Sequence, residues 1–527
     1  MLLHDLVVPR ATTAATRPAL RRGNTLLSYD AIVEQLRQVA AGLVEMGIRP
    51  GERVGIYLNK RIEAVLAYFA CSYAGAVFVP INSSLKPPQV SHILRDCDVV
   101  TLITTAAQAK DLNEALEECP HLRQVVVIDP PLPASSLPRR WVTWQALTES
   151  GSADMPPVRR IDTDIAAIFY TSGSTGKPKG VVLSQRNMVA GALSVAEYLD
   201  NTSDDVILAV LPFSFDAGFS QLTTAFSVGA SVVLLDYLLP RDVPKTAARY
   251  RVTGLAGVPP LWTQLARLDW PDEAVDSLRY ITNTGGAMPT ATLAALRARL
   301  TKTRVFLMYG LTEAFRSTYL PPEELDRRPT SMGRAIPNAE ILVVREDGSA
   351  CAPGEPGELV HRGALVSLGY WNDPERTAQR FRPTPNQPQG LPFPEIAVWS
   401  GDTVVKDEDG FLYFVGRKDD MIKSSGYRIS PTEIEEVVYA SGLVDECAAL
   451  GIPHLELGQA VVIACYADRA SDETRDALIA ACRAVLPNYM VPTAVVFLDP
   501  LPRNPNGKID RKRLSSELED MFQDAPE

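Results

Sequence analysis

The sequence predicts an α/β protein, with a parallel sheet covered by helices over most of its length and a smaller α+β unit at the C-terminal end. Two observations carry this expectation. Strand-like and helix-like segments alternate from Ser28 to Arg95 and again from Val206 to Met308; parallel strands need helix-length crossovers, so this alternation favours a parallel sheet. A charged run, Gly416 to Asp420, then separates the strand-like Phe411–Val415 from a second compact pattern. A chain of 527 residues has room for both units at ~100–200 residues per domain.

The elements follow in order. Ser28 stands before Ile32, Leu36, Val39 and Leu43 at helical spacing, and Gly47 follows, which predicts a capped amphipathic helix with a glycine stop. Arg53 to Leu58 reads as a strand, the Ala64 region as a helix, Ala76 to Val79 as a strand and Pro87 to Arg95 as a helix. The span from Ala64 to Ile81 is the one stretch that imitates a membrane crossing. Ser72, Gly75 and Pro80 interrupt it, so a buried helix running into a buried strand is expected instead. Further strands are expected at Val206–Leu211, Ser231–Leu235, Leu255–Val258, Tyr280–Thr282 and Arg304–Met308. Two proline-rich stretches, Asp129–Arg140 and Phe381–Pro394, read as surface connections. In the C-terminal unit, Ser430-Pro431-Thr432-Glu433 predicts a helix start with a capping box. Strands at Ala460–Tyr466 and Thr493–Leu498 flank a helix from about Glu473 to Leu486.

Composition excludes several classes. With 52 Lys+Arg against 63 Asp+Glu the net charge is -11, so there is no excess positive field to hold a nucleic-acid backbone. Apolar residues at 46% and charged residues at 22% exclude a disordered or collagen-like chain. The seven cysteines are scattered and form no C-x-x-C pair, which indicates neither a disulfide framework nor a zinc site. The first residues, MLLHDLVVPR, have no basic stretch and no long apolar core. A cytoplasmic protein without a membrane span or nucleic-acid partner is expected.

The most informative segment begins with a strand-like run, Ile165 to Thr171. It continues through Ser172-Gly173-Ser174-Thr175-Gly176-Lys177-Pro178-Lys179-Gly180 into a second strand-like run, Val181 to Leu183. Two residues separate Gly173 from Gly176-Lys177, and Pro178 stands where a Walker A loop has Ser or Thr, so this is not that P-loop. The loop still suits phosphate. Its glycines let backbone N–H groups face an anion, Thr171, Ser172, Ser174 and Thr175 offer hydroxyls, and Lys179 adds a cation.

The segment YTSGSTGKPKGVV resembles the signature loop of the AMP-forming acyl-adenylate superfamily, which contains acyl-CoA synthetases, adenylation domains of nonribosomal peptide synthetases and firefly luciferases. Further motifs extend the resemblance over nearly the whole chain: LPFSFDAG (211–218), NTGGAMP (283–289), MYGLTEA (308–314), WSGDTV (399–404), YFVGRKDDMIKSSGYRISPTEIE (413–435) and NPNGKIDR (504–511). Within the superfamily, the flanking segments resemble stand-alone ligases associated with bacterial exosortase and exopolysaccharide loci. The resemblance implies a large N-terminal domain of packed sheets and helices, residues 1–416, and a small mobile C-terminal domain, residues 417–527, with its hinge near Asp419.

It also implies a two-step reaction. A carboxylate attacks the α-phosphate of ATP and expels pyrophosphate; a pantetheine thiol, of coenzyme A or of a carrier protein, then attacks the mixed anhydride and expels AMP. By resemblance Thr171, Ser172, Ser174, Thr175 and Lys179 steady the β- and γ-phosphates, Glu313 holds magnesium, and Thr312 touches the α-phosphate. Tyr309 stacks on adenine, with Gly310 beside it, while Asn283, Gly285, Gly286 and Ala287 line the other side. Asp402 receives the ribose hydroxyls. Arg417 either binds near ribose and phosphate or pairs with Asp419 or Asp420. Lys508 follows the tight-turn pair Asn506-Gly507 and matches the mobile catalytic lysine that bridges the substrate carboxylate and the α-phosphate. After rotation, Gly426 and Tyr427 face the thiol. Lys423 and Arg428 either help there or form a solvated basic face.

Phe215, Asp216 and Arg316 fall at positions that line the acyl pocket. Asp216 in SFDAG resembles the aspartate with which amino-acid adenylation domains meet the substrate's α-amino group. Asp216 and Arg316 either contact a polar acid or pair with each other. The expected substrate is a small polar acid, amino acids included. The alternatives are a medium- or long-chain fatty acyl ligase and, with no supporting motif, a luciferase-like oxidative enzyme.

Overall fold

A computed structural model describes residues 1–129, 140–171, 178–385, 387–388, 390, 392–417, 420–424, 427–454, 457–467, 470–504 and 507–522. Two large sheets dominate. The seven-stranded sheet joins, in spatial order, Arg140–Thr143, Gln124–Val127, Val99–Thr104, Arg53–Tyr57, Val77–Ile81, Ile165–Thr171 and Lys179–Ser184. All its neighbours run parallel except the last pair. In the nine-stranded sheet, Val206–Ala209, Ser231–Leu234, Gly254–Gly257, Tyr280–Asn283 and Arg304–Tyr309 form the parallel centre. An N-terminal hairpin, Pro18–Arg22 and Thr25–Ser28, extends one edge.

Alternation along these strands explains the layering, because successive side chains leave opposite faces of a pleated sheet. Ile207 and Ala209 join a core shared with the seven-stranded sheet, whereas Leu208 joins a separate core on the outer face. Ile103 and Val126 of the seven-stranded sheet enter the same shared core, and Leu102, Val125 and Val127 leave it. The space between the sheets is filled by helices Tyr29–Glu45, Ile62–Tyr73, Gln185–Tyr198 and Asp216–Val228. Ile32, Leu36, Val39 and Leu43, the predicted helical stripe, all belong to this core. Four aromatic side chains lock its centre: Phe219 lies 5.1 Å from Phe78, 5.4 Å from Tyr68 and 5.8 Å from Phe169 between ring centroids. Truncating a ring so enclosed costs about 3–5 kcal/mol. Phe219 thereby anchors the helix whose first residue is Asp216.

A third sheet of the large domain is antiparallel throughout, joining Ala339–Val344, Gly357–Gly363, Ile396–Lys406, Phe381–Pro383 and Leu412–Arg417. The expectation of mainly parallel sheets therefore holds for the first two sheets and not for this one. Antiparallel strands need no helical crossover, and among the described residues only one helix, Pro374–Arg380, interrupts the strands of this sheet, so the regular alternation that marked the other sheets is missing here.

The small C-terminal domain pairs Glu446–His454 with Gly458–Tyr466, and adds Ile422–Ser424, Tyr427–Ile429 and a parallel Ala494–Phe497. Helices Pro431–Ala440 and Asp472–Val485 cover one face and Leu514 of Arg511–Glu517 covers the other. Two details correct the sequence reading. Glu446–His454 is an unpredicted strand; it lies at the sheet's edge, where Pro453 is tolerated. The Ser430 capping box does not form, because the Ser430 hydroxyl donates to the carbonyl of Val415 and ties the helix start to the preceding sheet. Among the described residues no helix is long and apolar enough to cross a membrane; the suspect span is the helix Ile62–Tyr73 followed by the strand Val77–Ile81.

Candidate active site

The glycine-rich segment connects two antiparallel strands, with Thr171 opposite Lys179. The two expected flanking strands are present, while residues 172–177, with Ser172, Ser174 and Thr175, lie outside the described residues. Lys179 Nζ donates to Glu313 Oε1 at 3.0 Å and to the Tyr370 hydroxyl at 2.7 Å, and that hydroxyl donates to the same Glu313 oxygen at 2.6 Å. The ammonium also lies 4.1 Å from the Tyr370 ring centroid, which adds a cation–π attraction. Glu313 sits in the turn Thr312–Ala314 directly after the strand Arg304–Tyr309. Burial pushes its carboxyl up, but Lys179 and Tyr370 outweigh burial and hold it at about 2. Burial lowers the Lys179 pKa, opposed by Glu313. The result is a buried, charge-assisted triangle.

Tyr370 was missed in the sequence. It lies 191 residues from Lys179 in the loop Gly369-Tyr370-Trp371-Asn372. Turn chemistry marks that loop, since Gly369 and Asn372 both have positive φ, but nothing local announces what the hydroxyl will meet. Thr171 Oγ1 is buried with no hydrogen-bond partner among the described residues, and half-buried Thr312 opens the Glu313 turn.

A second cluster lies on the antiparallel sheet. Register places Asp402 opposite Arg417, and Arg417 Nε stands 3.3 Å from Asp402 Oδ1. Arg417 thus has an ion-pair partner, Asp402, that the sequence did not suggest; Asp420 also attracts it, and Asp419 lies outside the described residues. Tyr309 donates to Asp402 Oδ2 at 2.5 Å. Burial raises the Asp402 pKa, with Arg417 opposing, and burial followed by the Asp402 charge raises that of Tyr309. Asn283 Nδ2 donates to Gly286 O at 2.8 Å. Asp402 Oδ1 and Asn283 Oδ1 remain buried acceptors without a hydrogen-bond donor among the described residues. Gly285 holds φ +80°, and Gly285, Gly286 and Ala287 are exposed beside them. Gly310 packs closely against the following turn: a Cβ there would stand 3.3 Å from the Arg316 Cα.

The acyl positions come together at the start of the helix Asp216–Val228. Half-buried Phe215 precedes it, and Asp216 Oδ1 accepts from the Ala217 N–H at 2.8 Å. Arg316 Nη1 lies 3.7 Å from Asp216 Oδ2, an ion pair too long for a hydrogen bond. Arg316 Nε and Ser214 Oγ are buried and find no partner among the described residues. Phe315, with φ +55°, turns the chain sharply before Arg316; a non-glycine residue there stores about 1–3 kcal/mol of strain. Its ring occupies the space that Gly191 leaves open, since a Cβ on Gly191 would lie 2.3 Å from Phe315 Cδ1.

The small domain inserts one side chain between these clusters. Lys508 ends a tight turn in which Asn504 N–H donates to Lys508 O at 2.8 Å and Gly507 takes φ +76°. Its Nζ reaches to 4.0 Å of the position a Cβ would take on Gly285. Enclosure by both domains lowers its pKa although solvent still reaches the side chain; Asp216 and Asp402 attract the ammonium and Arg417 repels it. Asp419 and Gly426 lie outside the described residues, as do the side chains of Lys423, Tyr427 and Arg428.

The donor set also fits magnesium. Glu313 supplies one buried, ionised carboxylate, and among the described residues no cluster of three or more His, Cys, Asp or Glu side chains forms a cage. Magnesium bound by one carboxylate, phosphates and retained waters needs no more than this.

Fold and site together define an AMP-forming acid–thiol ligase. The chain belongs to the AMP-binding enzyme family: residues 9–371 match its main model and residues 433–508 match the model of the AMP-binding enzyme C-terminal domain. It is 30% identical to a long-chain-fatty-acid–CoA ligase of Salmonella typhimurium, over 98% of this chain and 94% of that protein. It is 33% identical to an L-proline–[L-prolyl-carrier protein] ligase of Streptomyces coelicolor, over 96% of this chain and 95% of that protein. Among solved structures, o-succinylbenzoate coenzyme A synthetase of Bacillus subtilis with ATP and magnesium gives a TM-score of 0.82 at 26% identity, covering 97% and 98% of the two chains. ATP-bound MatB of Rhodopseudomonas palustris gives 0.86 at 25% identity, covering 99% of this chain and all of that one, against 0.77 for its apo form.

Proposed function

We propose that this enzyme activates a small polar carboxylic acid, amino acids included, as an acyl adenylate and passes the acyl group to a pantetheine thiol. In the first step a substrate carboxylate oxygen bonds to the α-phosphorus of ATP and pyrophosphate leaves. In the second the thiol sulfur bonds to the acyl carbon, AMP leaves with the former carboxylate oxygen, and the thiol proton passes to solvent. Placement and charge stabilisation carry such chemistry.

Lys179, Thr171 and the glycine loop, with Ser172, Ser174 and Thr175, steady the β- and γ-phosphates, and Thr312 the α-phosphate. Glu313 would hold magnesium, which would neutralise charge on the phosphates. Asp402 receives the ribose hydroxyls, for which its Oδ1, ion-paired with Arg417 but accepting no hydrogen bond among the described residues, is suited. Tyr309 and Gly310 on one side and Asn283, Gly285, Gly286 and Ala287 on the other enclose the base. Lys508 bridges the carboxylate and the α-phosphate. Residues 417–527 then rotate about Asp419, bringing Gly426, Tyr427, Lys423 and Arg428 to a thiol of coenzyme A or of a carrier protein. Both kinds of acceptor occur among the relatives. The seven cysteines are buried free thiols, in keeping with a reducing cytoplasm.

The substrate class rests on one observation: next to Lys508 the acyl cleft presents Asp216 and Arg316 as a splayed pair, with Arg316 Nε and Ser214 Oγ unpartnered among the described residues. An alkyl chain packed here leaves those groups unsatisfied, at about 1–3 kcal/mol each. Pyrophosphate exchange across a panel of acids tests this. Small polar and amino acids are expected to drive exchange; a response confined to medium- and long-chain fatty acids ends the reading.

A further inference from the structure

Charge balance in the acyl cleft narrows the substrate class further, resting on the polar-acid reading above. Asp216 and Arg316 bring one negative and one positive charge into the cleft, and Arg316 is only 6% exposed. They face each other at 3.7 Å, close enough to neutralise one another and too far apart to satisfy either by hydrogen bonding. Arg316 Nε has no acceptor among the described residues, and neither does the Ser214 hydroxyl two positions before Asp216. Lys508 and Glu313 are the other charges that Asp216 feels.

A ligand must respect this balance. A substrate ammonium that draws Asp216 to itself strands Arg316 as a buried, uncompensated cation. A second substrate carboxylate that draws Arg316 to itself leaves Asp216 only the Lys508 ammonium, which the reacting carboxylate also needs. Breaking a buried pair from one side is strongly unfavourable, whereas replacing both partnerships at once is not. Beyond the carboxylate that reacts, the substrate therefore carries both an ammonium and an anion or neither. The unpartnered Arg316 Nε favours the doubly charged ligand, because a carboxylate meets a buried guanidinium N–H with a charge-assisted hydrogen bond about twice as strong as the one a neutral oxygen offers.

We infer that the enzyme activates an amino-dicarboxylic acid, with its ammonium on Asp216, its second carboxylate on Arg316 and the remaining carboxylate presented to Lys508 and ATP. The bond changes are those of the first half-reaction, and no further reactant is required.

The test is pyrophosphate exchange by the full-length enzyme with two matched series. The five-carbon acids are L-glutamate, L-norvaline, glutarate and pentanoate; the four-carbon acids are L-aspartate, L-2-aminobutyrate, succinate and butyrate. In at least one series the amino-dicarboxylate is expected to exceed its three analogues by about 100-fold in kcat/KM. Arg316→Gln should shift preference toward the neutral amino acid, and Asp216→Asn toward the dicarboxylate without an amine. If the neutral amino acid matches the amino-dicarboxylate and Arg316→Gln leaves that ratio unchanged, this inference falls while the amino-acid reading stands. If the simple alkanoate is the best substrate, both fall. Exchange with none of the eight also overturns the inference. The wild-type series decides the matter even where a variant does not fold.

Discussion

The nucleotide side and the acyl side of the cleft are built on opposite terms. On the nucleotide side Lys179, Tyr370 and Glu313 close a triangle of hydrogen bonds at 2.6–3.0 Å. On the acyl side Asp216 and Arg316 stand 3.7 Å apart, with Ser214 Oγ and Arg316 Nε unpartnered among the described residues. The triangle is assembled in advance of any ligand, and preorganised charge is what lowers a phosphoryl-transfer barrier. On the proposed function the acyl half is completed by its ligand, and its loose pairing is where selectivity would reside. Lys508 enters where the two halves meet, attracted by Asp216 of one and Asp402 of the other.

This contrast can be broken experimentally, and the largest effect belongs to the preassembled half. Glu313→Gln is expected to lower kcat for adenylation about 100- to 1000-fold with every acid tested; a loss confined to some acids would place Glu313 in the acyl half. Tyr370→Phe removes the hydroxyl but keeps the ring under the ammonium, so steady-state kinetics should show a smaller loss, about 10-fold, also independent of the acid.

A third expectation concerns acid stability. The Glu313 carboxyl sits at about 2 in the folded chain against an ordinary 4.5. The unfolded chain therefore binds the proton more readily between those values, so stability rises with pH through that window and is complete above it. Glu313→Gln should flatten acid unfolding between pH 2 and 4.5, as followed by circular dichroism; an unchanged profile would mean that the triangle does not hold in solution. The smallest effect is at the domain interface. Arg267 donates to Asp445 at 2.6 Å but is largely exposed, so Arg267→Ala should change unfolding stability by about 1 kcal/mol or less.

The sequence made the two halves unequally legible. Motifs around Lys179, Glu313, Asp402 and Lys508 are contiguous strings whose residue types suit phosphate, a cation and a ribose, and the fold does bring them to one cleft. Tyr370 escaped notice because its role depends on an approach between residues 191 positions apart. The Asp402–Arg417 pairing depends on strand register in an antiparallel sheet that composition did not foretell. Asp216 and Arg316 were flagged as a pocket, yet residue identity could not say whether they bond to each other; only their separation did. Likewise Ser430 satisfied every local rule for a capping box, and a nearby carbonyl of Val415 won its hydroxyl instead.

The most direct measurement separates the two half-reactions in Lys508→Ala. Pyrophosphate exchange is expected to be abolished while thioester formation from a supplied acyl adenylate persists near the wild-type rate. Equal loss in both half-reactions would contradict the placement of Lys508 as the group that joins the acyl and nucleotide halves for adenylation alone.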